Sequence, residues 1–117
     1  DEAAAATPAG AEGLIFLPYL TGERCPINDP AARGGFIGLT SHHKKGHFAR
    51  SVLEGVAYSL RQVYDLTVSA DPQLKSESGD VVLAGGGAAS PLWRQIIADV
   101  FERFAKLWEA ERAKLQK

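Results

Sequence analysis

The amino-acid sequence predicts an α/β fold built around a long central helix, with a second helix towards the C-terminus. Two stretches carry that reading. Val81-Val82-Leu83-Ala84 is short, rich in valine and free of charge, the pattern of a strand buried on both faces. It runs through Gly85, Gly86 and Gly87 into Ser90-Pro91, where serine is a favoured N-cap and proline is tolerated at the first helical position. Upstream, the stretch from Lys44–His47 to about Ser69 contains no proline. Within it Phe48, Val52, Val56, Leu60 and Val63 recur at steps of four and three, the spacing of one helical face.

Taken in order, residues 1–12 are low in complexity and hold no large apolar side chain, so they read as a mobile lead-in or connector. Leu14-Ile15-Phe16-Leu17 is a strand candidate stopped by Pro18. From Pro18 to Gly35 the chain is a long irregular loop, of the kind that carries function in compact domains. Gly35-Phe36-Ile37-Gly38-Leu39 is a second strand candidate. In the central helix Ala49, Leu53, Ala57 and Tyr64 widen the apolar surface, while Arg50, Glu54, Arg61 and Asp65 form a narrow polar stripe. Gly55 in mid-helix is less favourable than alanine by roughly 1 kcal/mol, which points to close packing there. Asp71 to Gly79 reads as a surface turn. The last helix starts near Pro91 and is expected to continue into residues 102–117, a charged helical extension facing solvent or a partner, with Phe104 and Trp108 on its apolar side.

Composition excludes several classes. Thirteen Lys and Arg against fourteen Asp and Glu leave a formal net charge of -1, so no broad basic field for nucleic acid or a membrane surface is present. No apolar run approaches the roughly 20 residues of a membrane helix, and no signal-peptide pattern opens the chain. The single cysteine, Cys25, cannot close an internal disulfide, which makes a reducing, cytoplasmic setting the default. A first residue of Asp and the lack of any methionine read as a piece of something longer.

Three stretches, in order and in register, resemble one family. Gly34-Gly35-Phe36-Ile37-Gly38-Leu39, followed after seven residues by His47-Phe48-Ala49-Arg50-Ser51-Val52-Leu53-Glu54, is similar to the second signature of the FGGY carbohydrate kinases. Tyr19-Leu20-Thr21-Gly22-Glu23-Arg24-Cys25-Pro26 and Asn28-Asp29-Pro30-Ala31-Ala32-Arg33-Gly34 resemble the loop before it. Gly85-Gly86-Gly87-Ala88 with Ser90-Pro91-Leu92-Trp93-Arg94-Gln95 and Ala98-Asp99 resembles the family's adenosine-binding motif. The likeness covers residues 13–101. It implies part of the C-terminal domain of an actin-like, ribonuclease-H-like ATPase fold, which closes with an N-terminal domain over ATP, Mg2+ and a sugar. The family's catalytic Asp, first phosphate loop and most sugar contacts belong to that other domain, so the resemblance assigns no catalytic residue here and implies a segment inactive alone. It implies that Gly85, Gly86, Gly87 and Ala88 line the adenosine, with Ser90, Trp93 and Gln95 at the pocket rim. The Gly-Glu-Arg-x-Pro pattern is most similar to xylulose-phosphorylating members, and His42-His43-Lys44-Lys45-Gly46-His47 to gluconate-phosphorylating ones, which leaves the sugar open. After Phe101 the family turns into a further strand and a closing helix; residues 102–117 follow no such pattern.

Each functional reading has a plainer rival. The three glycines can serve only a tight strand-to-helix turn. Gly85, Gly87 and Ser90 also imitate the G-x-G-x-x-G of dinucleotide-binding folds, but no second strand ending in an acid follows about 20 residues on. His43 and His47, four apart, permit a metal, yet no third ligand is spaced nearby. Cys25 reads as a plain loop or core cysteine, with no histidine or helix start beside it. Glu23, Arg24, Asp29 and Arg33 suit contacts to phosphate, sugar or the other domain, and equally suit ion pairs within their loop. Trp93 fits either an adenine contact or core packing. From another class, a non-catalytic module that self-associates through uncovered strand edges and helix faces also fits a segment of this kind.

Overall fold

The computed structural model describes residues 2–23, 28–74, 81–101 and 105–107. Its spine is α2 (Lys45–Ala70), against which the N-terminal segment, a strand pair and a second helix pack. On one side lies an antiparallel pair, β1 (Ile15–Leu17) with β2 (Gly35–Ile37), in the register Ile15↔Ile37 and Leu17↔Gly35. Phe16 of β1 meets Phe36 of β2 in a tilted pair at 5.0 Å between ring centroids, and Phe36 meets Phe48 of α2 edge-on at 5.0 Å. Such aromatic pairs add to plain area burial. On the other side α3 (Pro91–Phe101) forms the main core with α2, through Ala57, Ile96, Ile97 and Phe101, backed by Leu53, Tyr64 and Leu83. Arg61 fastens the same two helices, donating from Nη1 to the Val100 carbonyl at 3.1 Å.

Gly55 behaves as its mid-helix position predicts. A Cβ there would lie 2.5 Å from the Phe16 carbonyl oxygen, so only glycine lets β1 cross α2 this closely. The lead-in differs from expectation. Glu2–Ala5 is a short helix, α1, with Ala4 fully buried, and a Cβ on Gly46 would sit 2.5 Å from the Ala3 carbonyl oxygen. A run of alanines favours helix, and its small side chains let α1 lie directly on the start of α2 without any large apolar residue.

Two further expectations are corrected. The polar stripe of α2 is split. Arg61 and Asp65 form a partly exposed pair at 2.9 Å, but Arg50 and Glu54 are only 7% and 5% exposed. Conversely, Val56 and Leu60 of the apolar stripe are 37% and 46% exposed. The helix has therefore rolled from its hydrophobic pattern, because the close contacts at Gly46 and Gly55 dictate which face turns inwards. The charged helical extension over 102–117 is likewise not continuous. α3 ends at Phe101, and Ala105–Leu107 forms a strand, β4, parallel to β3 (Val81–Leu83) in the register Val81↔Ala105. The open edge of β3 overrides the local helical periodicity, as pairing demands often do. Phe104 and Trp108 lie outside the described residues.

Candidate nucleotide-binding site

β3 delivers the chain to the glycine turn. Gly85 has φ 91° and ψ 177°, a conformation L side chains rarely adopt, and it opens a single helical turn over Gly86–Ala89. The Ala88 N–H donates to the Gly85 carbonyl and the Ser90 N–H to that of Gly87, both at 3.1 Å. The amides of Gly86 and Gly87 precede the first bonded amide of this turn, so the turn itself supplies them no acceptor. Gly85 and Gly87 are exposed, and no atom comes within 4 Å of where a Gly85 Cβ would lie. The residues present thus fit an adenine nucleotide: a flat ligand can meet bare backbone here.

The remaining residues expected at the site divide into two groups. Ser90 caps α3, its Oγ accepting the Trp93 N–H at 3.2 Å. Replacing it by alanine should lower stability by about 1 kcal/mol, read as a reduced chemical-denaturation midpoint. Trp93 packs on the α2–α3 core, and its ring edge lies 3.7 Å from where a Gly87 Cβ would stand. Ala88 is 1% exposed, so it supports the turn from beneath. Gln95 is exposed and donates from Nε2 to Asp99 at 2.8 Å, along its own helix. Arg94 was missed by the motif reading as a site residue. It donates from Nη1 to the Ala88 carbonyl at 2.8 Å. Its place six residues after Ala88, on the first turns of the helix, was the only sequence signal.

The long loop is held largely by its own bonds. Glu23 is 8% exposed and accepts the Asn28 N–H at 2.8 Å, while its own N–H donates to the Asp29 carbonyl at 2.9 Å. Asp29 accepts the Ala31 N–H at 2.8 Å, and Arg33 donates to the carbonyls of Pro30 and Ala32. These three residues lie far from the glycine turn in sequence, and the bonds above hold them within their own loop; Arg24 and Cys25 lie outside the described residues. Beside this loop a cleft of about 470 Å3 opens between Tyr19, Glu23, Val56 and Leu60.

The histidines are engaged in structure. His43 Nδ1 accepts the Thr40 N–H at 2.9 Å and His47 Nδ1 accepts the Lys44 N–H at 2.8 Å, the second capping the start of α2. Each Nε2 faces Glu12, that of His43 at 3.0 Å from the carbonyl and that of His47 at 3.4 Å from the carboxylate. With both Nδ1 lone pairs committed to amides, neither ring offers a ready metal ligand, and among the described residues no group of three His, Cys, Asp or Glu side chains converges on a metal position.

Deeper in the fold, Arg50 Nε donates to Glu54 Oε2 at 3.0 Å, and the same oxygen accepts the Gly10 N–H at 2.9 Å. Tyr58 borders this network in a cleft of about 210 Å3 with Ile96 and Asp99. Burial pushes its phenol pKa above the ordinary value, the Glu54 carboxylate pushes it further, and Arg50 opposes. A raised pKa means that the folded chain holds its proton where the unfolded chain has begun to lose it. The associated stability is full below pH ~10 and is lost as pH rises through the folded value. An absorbance titration of wild type minus Tyr58→Phe should place this ionisation above that of free tyrosine; a value at or below it would contradict the geometry.

Strand, glycine turn and capped helix, packed on a long helix with a parallel strand alongside, define a partial domain of the actin-like ATPase fold. The family model for the C-terminal domain of the FGGY carbohydrate kinases matches residues 1–111. The chain belongs to this family. Xylulose kinase of Staphylococcus epidermidis is 45% identical over 98 residues, covering 84% of this chain and 19% of that protein. Gluconokinase of Bacillus subtilis is 46% identical over 94 residues, covering 80% and 18%. The solved structure of ligand-bound xylulose kinase from Lactobacillus acidophilus superimposes with a TM-score of 0.78 at 37% identity, covering 91% of this chain and 21% of that one. The chain thus spans about a fifth of the length of these relatives. The match takes in both the lead-in and the segment containing β4.

Proposed function

We propose that this chain supplies the adenosine side of the cleft of an ATP-dependent carbohydrate kinase, which transfers the γ-phosphoryl group of ATP to a sugar hydroxyl. The observation that carries this is the glycine turn: bare, exposed backbone at Gly85 and Gly87, braced from behind by Ala88 and Trp93. Gly85, Gly86 and Gly87 meet the nucleotide through backbone, Ser90 sets the helix start, and Trp93 and Gln95 border the pocket. Phosphoryl transfer rests on positioning and charge neutralisation. Mg2+ bound with ATP would supply that neutralisation. The base and the sugar contacts come from the N-terminal kinase domain, so the chain is inactive alone. Glu23, Arg24, Asp29 and Arg33 belong to a loop suited to contact that domain. The names of the relatives favour xylulose as the sugar, with gluconate as the alternative, in a cytoplasmic enzyme.

Isothermal titration with ATP and ADP tests this reading directly. Saturable binding to the isolated chain, lost in Gly87→Val, is expected, together with no phosphorylation of xylulose or gluconate. A chain that binds neither nucleotide contradicts the proposal. One observation favours a second reading, self-association without catalysis: Leu20, Ile37 and Leu39 are each more than half exposed, at 69%, 54% and 57%. Concentration-dependent sedimentation without nucleotide binding would select it.

A further inference from the structure

We infer that Arg94 is a positioning residue for the nucleotide-binding turn, a role that rests on the reading of that turn given above. The glycine turn is intrinsically loose, since each of Gly85, Gly86 and Gly87 carries the backbone freedom of a residue without Cβ. Its entry is tied to β3, whereas its exit at Ala88 has no sheet partner. Arg94 closes that gap. Its guanidinium reaches back over six residues to the Ala88 carbonyl at 2.8 Å, and its own N–H donates to the Ser90 carbonyl at 3.1 Å as part of the first turn of α3. The bond is charge-assisted and half-buried, in the stronger class of protein hydrogen bonds. Because the planar fork is always charged, the tether holds across the whole working pH range. Ala88 itself is buried beneath the turn, so fixing its carbonyl fixes the plane of the peptide that follows and, through the Gly85–Ala88 bond, the direction of the amides at Gly86 and Gly87. Arg94 thereby orients donors without touching the ligand.

The protein contains its own control. Arg61 makes the same kind of bond, Nη1 to the Val100 carbonyl at 3.1 Å, at the far end of α3. Both bonds fasten α3, but only that of Arg94 reaches the glycine turn. The test therefore compares Arg94→Ala, Arg94→Lys and Arg61→Ala in the full 117-residue chain, by amide hydrogen exchange without ligand and by titration with ADP and adenosine. The role predicts that exchange at residues 85–89 accelerates in Arg94→Ala and not in Arg61→Ala, with Arg94→Lys intermediate. It predicts that ADP and adenosine both bind about tenfold more weakly to Arg94→Ala, the scale of losing one hydrogen bond to a charged group. Unchanged exchange at the turn overturns the inference. So does an equal loss of affinity in Arg61→Ala, which would reflect general loosening of α3, or a loss confined to ADP, which would make Arg94 a phosphate contact. Should wild type bind no nucleotide, the functional proposal fails, and the exchange comparison still decides whether Arg94 sets the turn.

Discussion

Glu54→Ala should destabilise the chain by about 3–5 kcal/mol, the scale of breaking one partner out of a buried ion pair. The side chains of Arg50 and Glu54 are only 9% and 7% exposed, so removing the carboxylate takes away the ion-pair partner of a largely buried guanidinium. It also removes the acceptor of the Gly10 N–H, which ties the turn after α1 to the middle of α2. Both losses act on the same joint between the N-terminal segment and the spine. For a chain of this size each kcal/mol shifts the melting temperature by roughly 4 °C, so the variant should melt some 12–20 °C lower, if it folds at all. Exposed-pair behaviour is the contrasting case. Asp65→Ala, breaking a pair with its carboxylate 56% exposed, should cost no more than about 1 kcal/mol. Equal effects of the two substitutions, measured by denaturant titration, would show that the inner pair is not buried as described.

Gly55→Val should be the second severe change. A β-carbon at 55 would lie 2.5 Å from the Phe16 carbonyl oxygen and 3.3 Å from the Phe16 Cβ, so both the backbone and the side chain of β1 stand in its way. Relief requires β1 to move off α2, which would loosen the Phe16–Phe36–Phe48 stack. Overpacking of this kind commonly costs about 1–3 kcal/mol. The upper end is expected here because the obstacle is a strand backbone rather than a flexible side-chain tip. Alanine at the same site regains roughly 1 kcal/mol of helix propensity and should be the milder variant, still below wild type. A Gly55→Ala protein more stable than wild type would show that β1 and α2 are not in such contact.

These two sites show why parts of the fold were legible in the sequence. Gly55 stood out because a helix tolerates glycine poorly, and the structure supplies the neighbour that requires it. The end of β1, the bounds of β2 and the start of α3 follow from Pro18, the glycines around 34–38, and Ser90-Pro91, where backbone chemistry is local. Arg50 and Glu54 misled for the opposite reason. Their i, i+4 spacing suits a solvent-exposed pair, whereas Glu54 is also held by the Gly10 N–H from 44 residues away, a contact that no periodicity encodes. The alanines of α1 were similarly silent, since small size that permits close approach looks the same as low complexity. β4 was hidden because its pairing to β3 is non-local. At the candidate site, the glycine turn and the Ser90 cap were readable as motif and cap chemistry. The Arg94 tether was not, because a hydrogen bond to a carbonyl six residues back leaves no pattern in side-chain type.

The most direct test of the central claim, that the glycine turn is the nucleotide surface of this chain, is an amide NMR titration of the 15N-labelled protein with ADP. Saturable shifts are expected to concentrate at Gly85, Gly86, Gly87 and Ala88, with smaller changes at Ser90 and Trp93 and none around the Arg50–Glu54 pair. Saturable shifts centred on the 18–35 loop or the Tyr58 cleft, with the glycine amides unmoved, would contradict it.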